Sequence, residues 1–92
     1  MSDDTVIRKY VANVEEACGE EKDVIVMLKY EKRDEAIKKI LNKAKVVKTL
    51  AGIAYDINFG DKSMRLYRTG KLLMKQMKDK REAEEILKQL LG

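Results

Sequence analysis

Residues 62–78 read KSMRLYRTGKLLMKQMK, and this stretch constrains the fold more than any other. Lysines and arginines are threaded with Met, Leu and a single Tyr, and no acid interrupts them. A helix does not fit. Extending the apolar stripe of Ala83, Ile86, Leu87 and Leu90 backwards meets Lys80, Asp79 and Gln76 where apolar residues are needed. Gly70 would also cost ~1 kcal/mol inside a helix. Two strands turning at Thr69-Gly70-Lys71 are expected instead.

Loop length then decides which side chains share a face, because a one-residue slip exchanges the faces. A two-residue loop mixes Met64, Leu66 and Leu73 with Arg68, Lys71 and Lys75. A three-residue loop, with Gly70 at positive φ, sorts them. Met64, Leu66, Leu72 and Met74 then line one side, with Arg68 and Gln76 at its ends. Arg65, Tyr67, Leu73 and Lys75 line the other. The first row is expected to pack on helices and the second to be free.

The surrounding periodicity supplies the remaining elements. Val6, Ile7, Tyr10, Val14, Ala17 and Cys18 form a helical stripe over 4–18, with Gly19 as its stop. Residues 24–30, VIVMLKY, read as a strand. Residues 33–47 return to helical spacing through Ala36, Ile37, Ile40, Leu41, Ala44 and Val47, with Lys38, Lys39, Lys43, Lys45 and Lys48 taken as its lysine-rich side. Residues 50–59, LAGIAYDINF, alternate as a strand before a turn at Gly60-Asp61. Asp79 and Glu82 form a capping-box pattern opening a last helix. The expected fold is α+β: a four-stranded antiparallel sheet with helices on one face, in the order α-β-α-β-β-β-α.

With 92 residues the chain is expected to form one domain, 1–20 as an N-terminal helical extension and 24–91 as the core. A core this small makes dimerisation a natural supplement. Its 45% hydrophobic and 39% charged residues exclude a disordered chain. No apolar run approaches membrane length, and Met1-Ser2-Asp3-Asp4 is no basic signal-peptide start, so the expected location is cytoplasmic. The many Lys and Glu residues suit a thermophile.

The formal net charge is +4. Residues 1–22 are acidic overall, with Asp3, Asp4, Glu15, Glu16, Glu20 and Glu21 against Arg8, Lys9 and Lys22. The basic excess therefore lies downstream, a hint of an anionic partner. Histidine is absent, and the lone cysteine, Cys18, leaves no intrachain disulfide and no zinc set. Cys18 reads as a small buried hydrophobe. No carboxylate pair, phosphate-cradling Gly-rich loop or nucleophile motif stands out. The expectation is no enzyme, no cofactor and no small-molecule substrate.

AGIAYDI at 51–57, a turn, MRLYRTGKLLMK at 64–75 and a final charged helix together resemble one half-repeat of the TATA-binding protein family. EAIKKIL at 35–41 stands in the position of that repeat's first helix, so the likeness covers 24–91. Such half-repeats also resemble accessory substrate-binding domains of some ribonucleases H. The resemblance implies that the free sheet face grips nucleic acid, with Tyr67 and Leu50 at wedge positions and Leu73 and Lys75 facing the groove. The chain departs from the pattern at Asp56, where the family has an arginine, and in carrying a single half-repeat. The N-terminal helix has no counterpart.

Two functions are thus expected. One is a small, weakly sequence-specific nucleic-acid-binding domain, for DNA or RNA, using Leu50, Arg65, Tyr67, Lys71, Leu73 and Lys75. The other is a protein-interaction or homodimerisation module using the same face. In both, the face must not be covered by the chain's own first helix.

Overall fold

A computed structural model describes residues 4–16 and 22–92. Along the chain run α1 (Asp4–Tyr10), β1 (Val11–Glu16), β2 (Val24–Leu28), a 3-10 turn (Tyr30–Lys32) and α2 (Arg33–Lys43). They are followed by β3 (Lys45–Leu50), β4 (Ala54–Phe59), β5 (Lys62–Tyr67), β6 (Lys71–Met74) and α3 (Lys80–Leu91). The strands form one six-stranded sheet in the order β1-β2-β6-β5-β4-β3, with every neighbouring pair antiparallel.

The central hairpin has a three-residue loop, but it is Arg68-Thr69-Gly70 and not the expected Thr69-Gly70-Lys71: Lys71 already opens β6, and Arg68 leaves the core row for the turn while the two faces keep their expected members. Leu66 pairs with Leu72, Arg65 with Leu73 and Met64 with Met74, and Gly70 takes φ +103°. Its N–H donates to Tyr67 O, and Leu28 N–H donates to Gly70 O, so the loop is tied to the end of β2 as well. Met64, Leu66, Leu72 and Met74 are all buried. They meet Val24, Val26 and Leu28 from β2, Ile57 from β4, Ala36 and Ile40 from α2, and Ala83, Leu87 and Leu90 from α3 in one core. The helices therefore gather on one face of the sheet, as the α+β reading expects.

Strand number and element boundaries depart from the sequence expectation: six strands replace four among the described residues, and the α-β-α-β-β-β-α order gives way to α-β-β-α-β-β-β-β-α. The helix expected over 4–18 ends at Tyr10. Its second half is β1, where Val14 alternates inward opposite Val26. Val11 and Val14 favour extended backbone, and without β1 the apolar strand β2 would carry an unpaired edge. Ala17, Cys18 and Gly19, the expected end of that helix, lie outside the described residues.

The helix expected over 33–47 ends at Lys43, and 45–50 becomes β3. Val46, Val47 and Thr49 are β-branched, and pairing with β4 satisfies a second open ladder. A register shift between Val46 and Lys48 hides the alternation, which is why KVVKTL reads poorly as a strand. The strand expected over 50–59 begins only at Ala54. Leu50 O accepts from Ile53 N–H across a turn in which Ala51 and Gly52 both have positive φ, a hairpin geometry that Ala-Gly signals weakly.

At α3 the capping pattern forms: Asp79 Oδ1 accepts from Glu82 N–H at 2.9 Å, and Glu82 Oε1 from Lys78 N–H at 2.6 Å. Helix α1 is held on the helical side. Val6 and Ile7 pack against the core, and the buried Tyr10 donates its hydroxyl to Glu35 Oε2 of α2 at 2.6 Å.

A Cβ on Gly70 would lie 3.4 Å from Arg33 Cδ at a φ that L-residues avoid, whereas one on Gly60 (φ +65°) would meet nothing within 4 Å. Gly70→Ala is expected to lower stability by roughly 1–3 kcal/mol and Gly60→Ala by less. Urea unfolding of the two variants measures the difference.

Candidate nucleic-acid interface

Antiparallel pairing places directly opposed residues on the same face, so the register defines the side that the helices leave open. One row across the sheet runs Leu50, Ala54, Tyr67, Lys71, Met27 and Asn13. The next runs Lys48, Asp56, Arg65, Leu73, Ile25 and Glu15. Beyond it lie Lys45, Asn58 and Ser63. Lys75 follows Met74 on the same side, close enough to act electrostatically on Asp56. Among the described residues, no helix packs on this surface.

All six expected site residues, Leu50, Arg65, Tyr67, Lys71, Leu73 and Lys75, therefore share one face. Leu50, Arg65, Tyr67, Lys71 and Leu73 are half-buried, and Lys75 is exposed. Helix α1 does not cover them, because it packs on the opposite, helical layer.

Sequence reasoning missed several neighbours. Lys45 and Lys48, expected on a solvated helix side, stand on β3 and enlarge the basic surface. Lys43 remains on α2 and donates to Gln89 O at 2.9 Å, tying α2 to the end of α3. Ile25 and Met27 were hidden in the run VIVML, where every residue is apolar and only the period of two separates 25 and 27 from 24, 26 and 28. The β-branched content of KVVKT was the signal available for β3.

The acid at Asp56 is neutralised in place. Arg65 Nε donates to its Oδ1 at 2.7 Å and Nη2 to its Oδ2 at 3.3 Å, a forked pair across β4 and β5. The Arg65 hydrogen bond, assisted by the charges of Arg65, Lys75 and Lys48, holds the Asp56 carboxyl below its ordinary pKa against the opposing effect of desolvation. Arg65 is pushed upward in turn, first by Asp56 and then by the Tyr67 hydroxyl. Lys71 Nζ lies 5.5 Å from the centre of the Tyr67 ring, within cation–π range.

Tyr67 is thus bracketed by Ala54 and Lys71 along its row. Lys45, Lys48, Lys71 and Lys75 form no ion pair among the described residues, so their charge is available to an anion. Glu15, on the edge strand β1, is the acid at the far end of the face.

No family model, curated protein or solved structure matches the chain. Among the described residues, no group of three or more His, Cys, Asp or Glu side chains is placed to hold a metal ion. None of their helices is long and apolar enough to cross a membrane.

The depressed Asp56 pKa has a stability consequence of definite sign. Its contribution is present above the ordinary carboxylate value near ~4 and is lost as pH falls through the lower folded value. Asp56→Asn is expected to be less stable than the parent at neutral pH, with the gap closing below about pH 4. Urea midpoints for both proteins across the acid range test this. Glu35 and Glu82, also held low by their hydrogen bonds, add acid sensitivity common to both.

Proposed function

We propose that this chain is a small nucleic-acid-binding domain that uses its open sheet face and is not an enzyme. The observation that carries this reading is the assembly of Lys45, Lys48, Arg65, Lys71 and Lys75 with Tyr67 on one surface that no described helix covers. Asp56, the acid among them, is consumed by Arg65. Such a face attracts phosphate through several separate ammonium groups, which supplies affinity without reading base edges.

The half-buried side chains of Leu50, Tyr67 and Leu73 add apolar and aromatic surface for sugars and bases. The resemblance of 51–57 and 64–75 to a TATA-binding-protein half-repeat supports the same face and the wedge positions of Tyr67 and Leu50. A single half-repeat does not make the full saddle, so TATA-box recognition is not part of the proposal. DNA and RNA both present the required phosphates, and a cytoplasmic setting belongs to the same reading.

The rival use of this face is self-association or docking of another protein. It is favoured by the apolar residues Ile25, Met27, Leu50 and Leu73, which a partner would bury. Two copies placed face to face would bring Lys48, Lys71 and Lys75 of each against a surface of the same sign. That repulsion favours a polyanion as the occupant.

Fluorescence anisotropy with labelled oligonucleotides at low salt tests the proposal. Lys71→Glu with Lys75→Glu is expected to weaken binding more than tenfold and to reduce the slope of log affinity against log salt by about 2. Wild-type protein that binds no probe, or binding indifferent to the double variant, refutes it. A tight dimer in sedimentation, broken by Tyr67→Asp, would support the rival.

A further inference from the structure

The loop end of the sheet carries a second feature, on the far side of the rim from the basic rows. Tyr30, in the 3-10 turn before α2, is 77% exposed, the highest value among the exposed large hydrophobic side chains. One face of its ring is already occupied. The Arg33 guanidinium carbon lies 4.4 Å from the ring centre, a stacked cation–π pair. Arg33 is itself positioned, because its Cβ, Cγ and Cδ run along Gly70, within 3.4–3.8 Å of where a side chain there would begin. The absence of a Cβ at Gly70 thus serves both the hairpin turn and the seat of this arginine.

Arg33 links the pair to a shallow cleft of about 540 Å³ that it borders with Ile37, Gly52, Ile53, Tyr55 and Arg68; Tyr30 stands outside that lining, stacked on Arg33. That volume lies within the ~300–1,000 Å³ typical of small-ligand sites. Arg68 Nη1 donates to Gly52 O at 3.2 Å, which holds a second guanidinium at the cleft edge. Ile53, 63% exposed, stands on the β3–β4 turn. The carboxylate bordering the cleft is Asp34, 3.8 Å from Arg33 Nε and almost fully solvated. An aromatic ring pre-stacked on arginine, an exposed aliphatic wall and two anchored guanidiniums make a combination suited to a flat, electron-rich ring attached to a phosphate.

We infer that this corner seats an unpaired nucleobase, stacked on the Tyr30–Arg33 pair, with Arg68 taking the adjoining phosphate. The inference rests on the nucleic-acid reading of the open face and sharpens it, because the preferred ligand becomes a single strand. The loop Arg68–Gly70 joins Tyr67 to Lys71 on the open face, and its Arg68 N–H donates to Ile53 O at 2.9 Å. A strand lying along the Tyr67–Lys71 row therefore reaches the cleft by crossing one loop. A duplex keeps its bases stacked inside and leaves this seat empty.

The test compares wild type, Tyr30→Ala, Tyr30→Phe and Lys71→Glu with Lys75→Glu by anisotropy. The probes are a labelled single strand of about 10 nucleotides, the site size of one small domain, and a duplex of equal length. Tyr30→Ala is expected to weaken single-strand binding roughly 5- to 100-fold, the usual effect of deleting one stacking aromatic, and to leave the duplex unaffected. Tyr30→Phe keeps the ring and is expected to bind as wild type does. Because Tyr30 is so exposed, thermal unfolding of both Tyr30 variants should match wild type, which separates binding from folding.

Single-strand binding by Tyr30→Ala as tight as wild type overturns this inference. If the lysine double variant still weakens both probes, the open-face reading stands without it. Equal losses for single strand and duplex in Tyr30→Ala also overturn the single-strand seat. Wild-type protein that binds neither probe overturns both proposals together.

Discussion

The β5–β6 hairpin is the constraint on which the rest of this protein depends. Its two strands lie at the centre of the sheet, so their register sets the register of everything added on either side. With Gly70 at positive φ, Leu66 opposes Leu72 and the four large apolar side chains of the hairpin turn inward together. A slip of one residue would keep Met64 and Leu66 inward but turn Lys71, Leu73 and Lys75 in beside them and send Leu72 and Met74 into water. Burying an unpaired lysine or arginine costs far more than any loop strain, which makes the alternative register inaccessible. One glycine conformation thus decides both what the helices pack on and what faces solvent.

From that hairpin the sheet grows outward until its edges are made of short, charged and irregular strands. β3 carries Lys45 and Lys48 with a register shift between Val46 and Lys48, and β1 carries Glu15 and Glu16 with a shift between Val11 and Asn13. Bulges and charges are the devices by which natural sheets discourage further strand addition. The exposure of Val46 and Val47 is tolerable for the same reason. Growth in the plane of the sheet is therefore blunted, while the face away from the helices stays open.

That face combines features that separately mean little. Surface lysines are ordinary, and the Arg65–Asp56 pair, about one-third exposed on both sides, contributes little to stability on its own. Its effect is electrostatic bookkeeping of a local kind: it removes the acid from the middle of a basic surface and leaves the surrounding ammonium groups unopposed. At the rim, Arg33 lies against Gly70 and stacks on Tyr30, so the central turn also organises the corner where an unpaired base is proposed to sit. The open face and the corner are thus linked through a single loop.

Much of this was legible in the sequence, and the reason is periodicity. The alternation in 64–74 with one glycine, the 83-86-87-90 stripe and the Asp79–Glu82 cap each carry their own local physical signal. They sufficed to sort Arg65, Tyr67, Leu73 and Lys75 from the core. The tertiary structure alone decided the fate of 11–16 and 45–50. VANVEE and KVVKTL tolerate either backbone, and what made them strands was the unsatisfied hydrogen-bonding edges of β2 and β4, the next strands along the chain, reached through connections with no strong sequence signature. Pairing with β4 moved Lys45 and Lys48 onto the open face, and packing of Val6 and Ile7 on the core put α1 on the other side of the sheet. Local patterning determined which side chains could share a surface; only the assembled sheet determined that the surface stayed open.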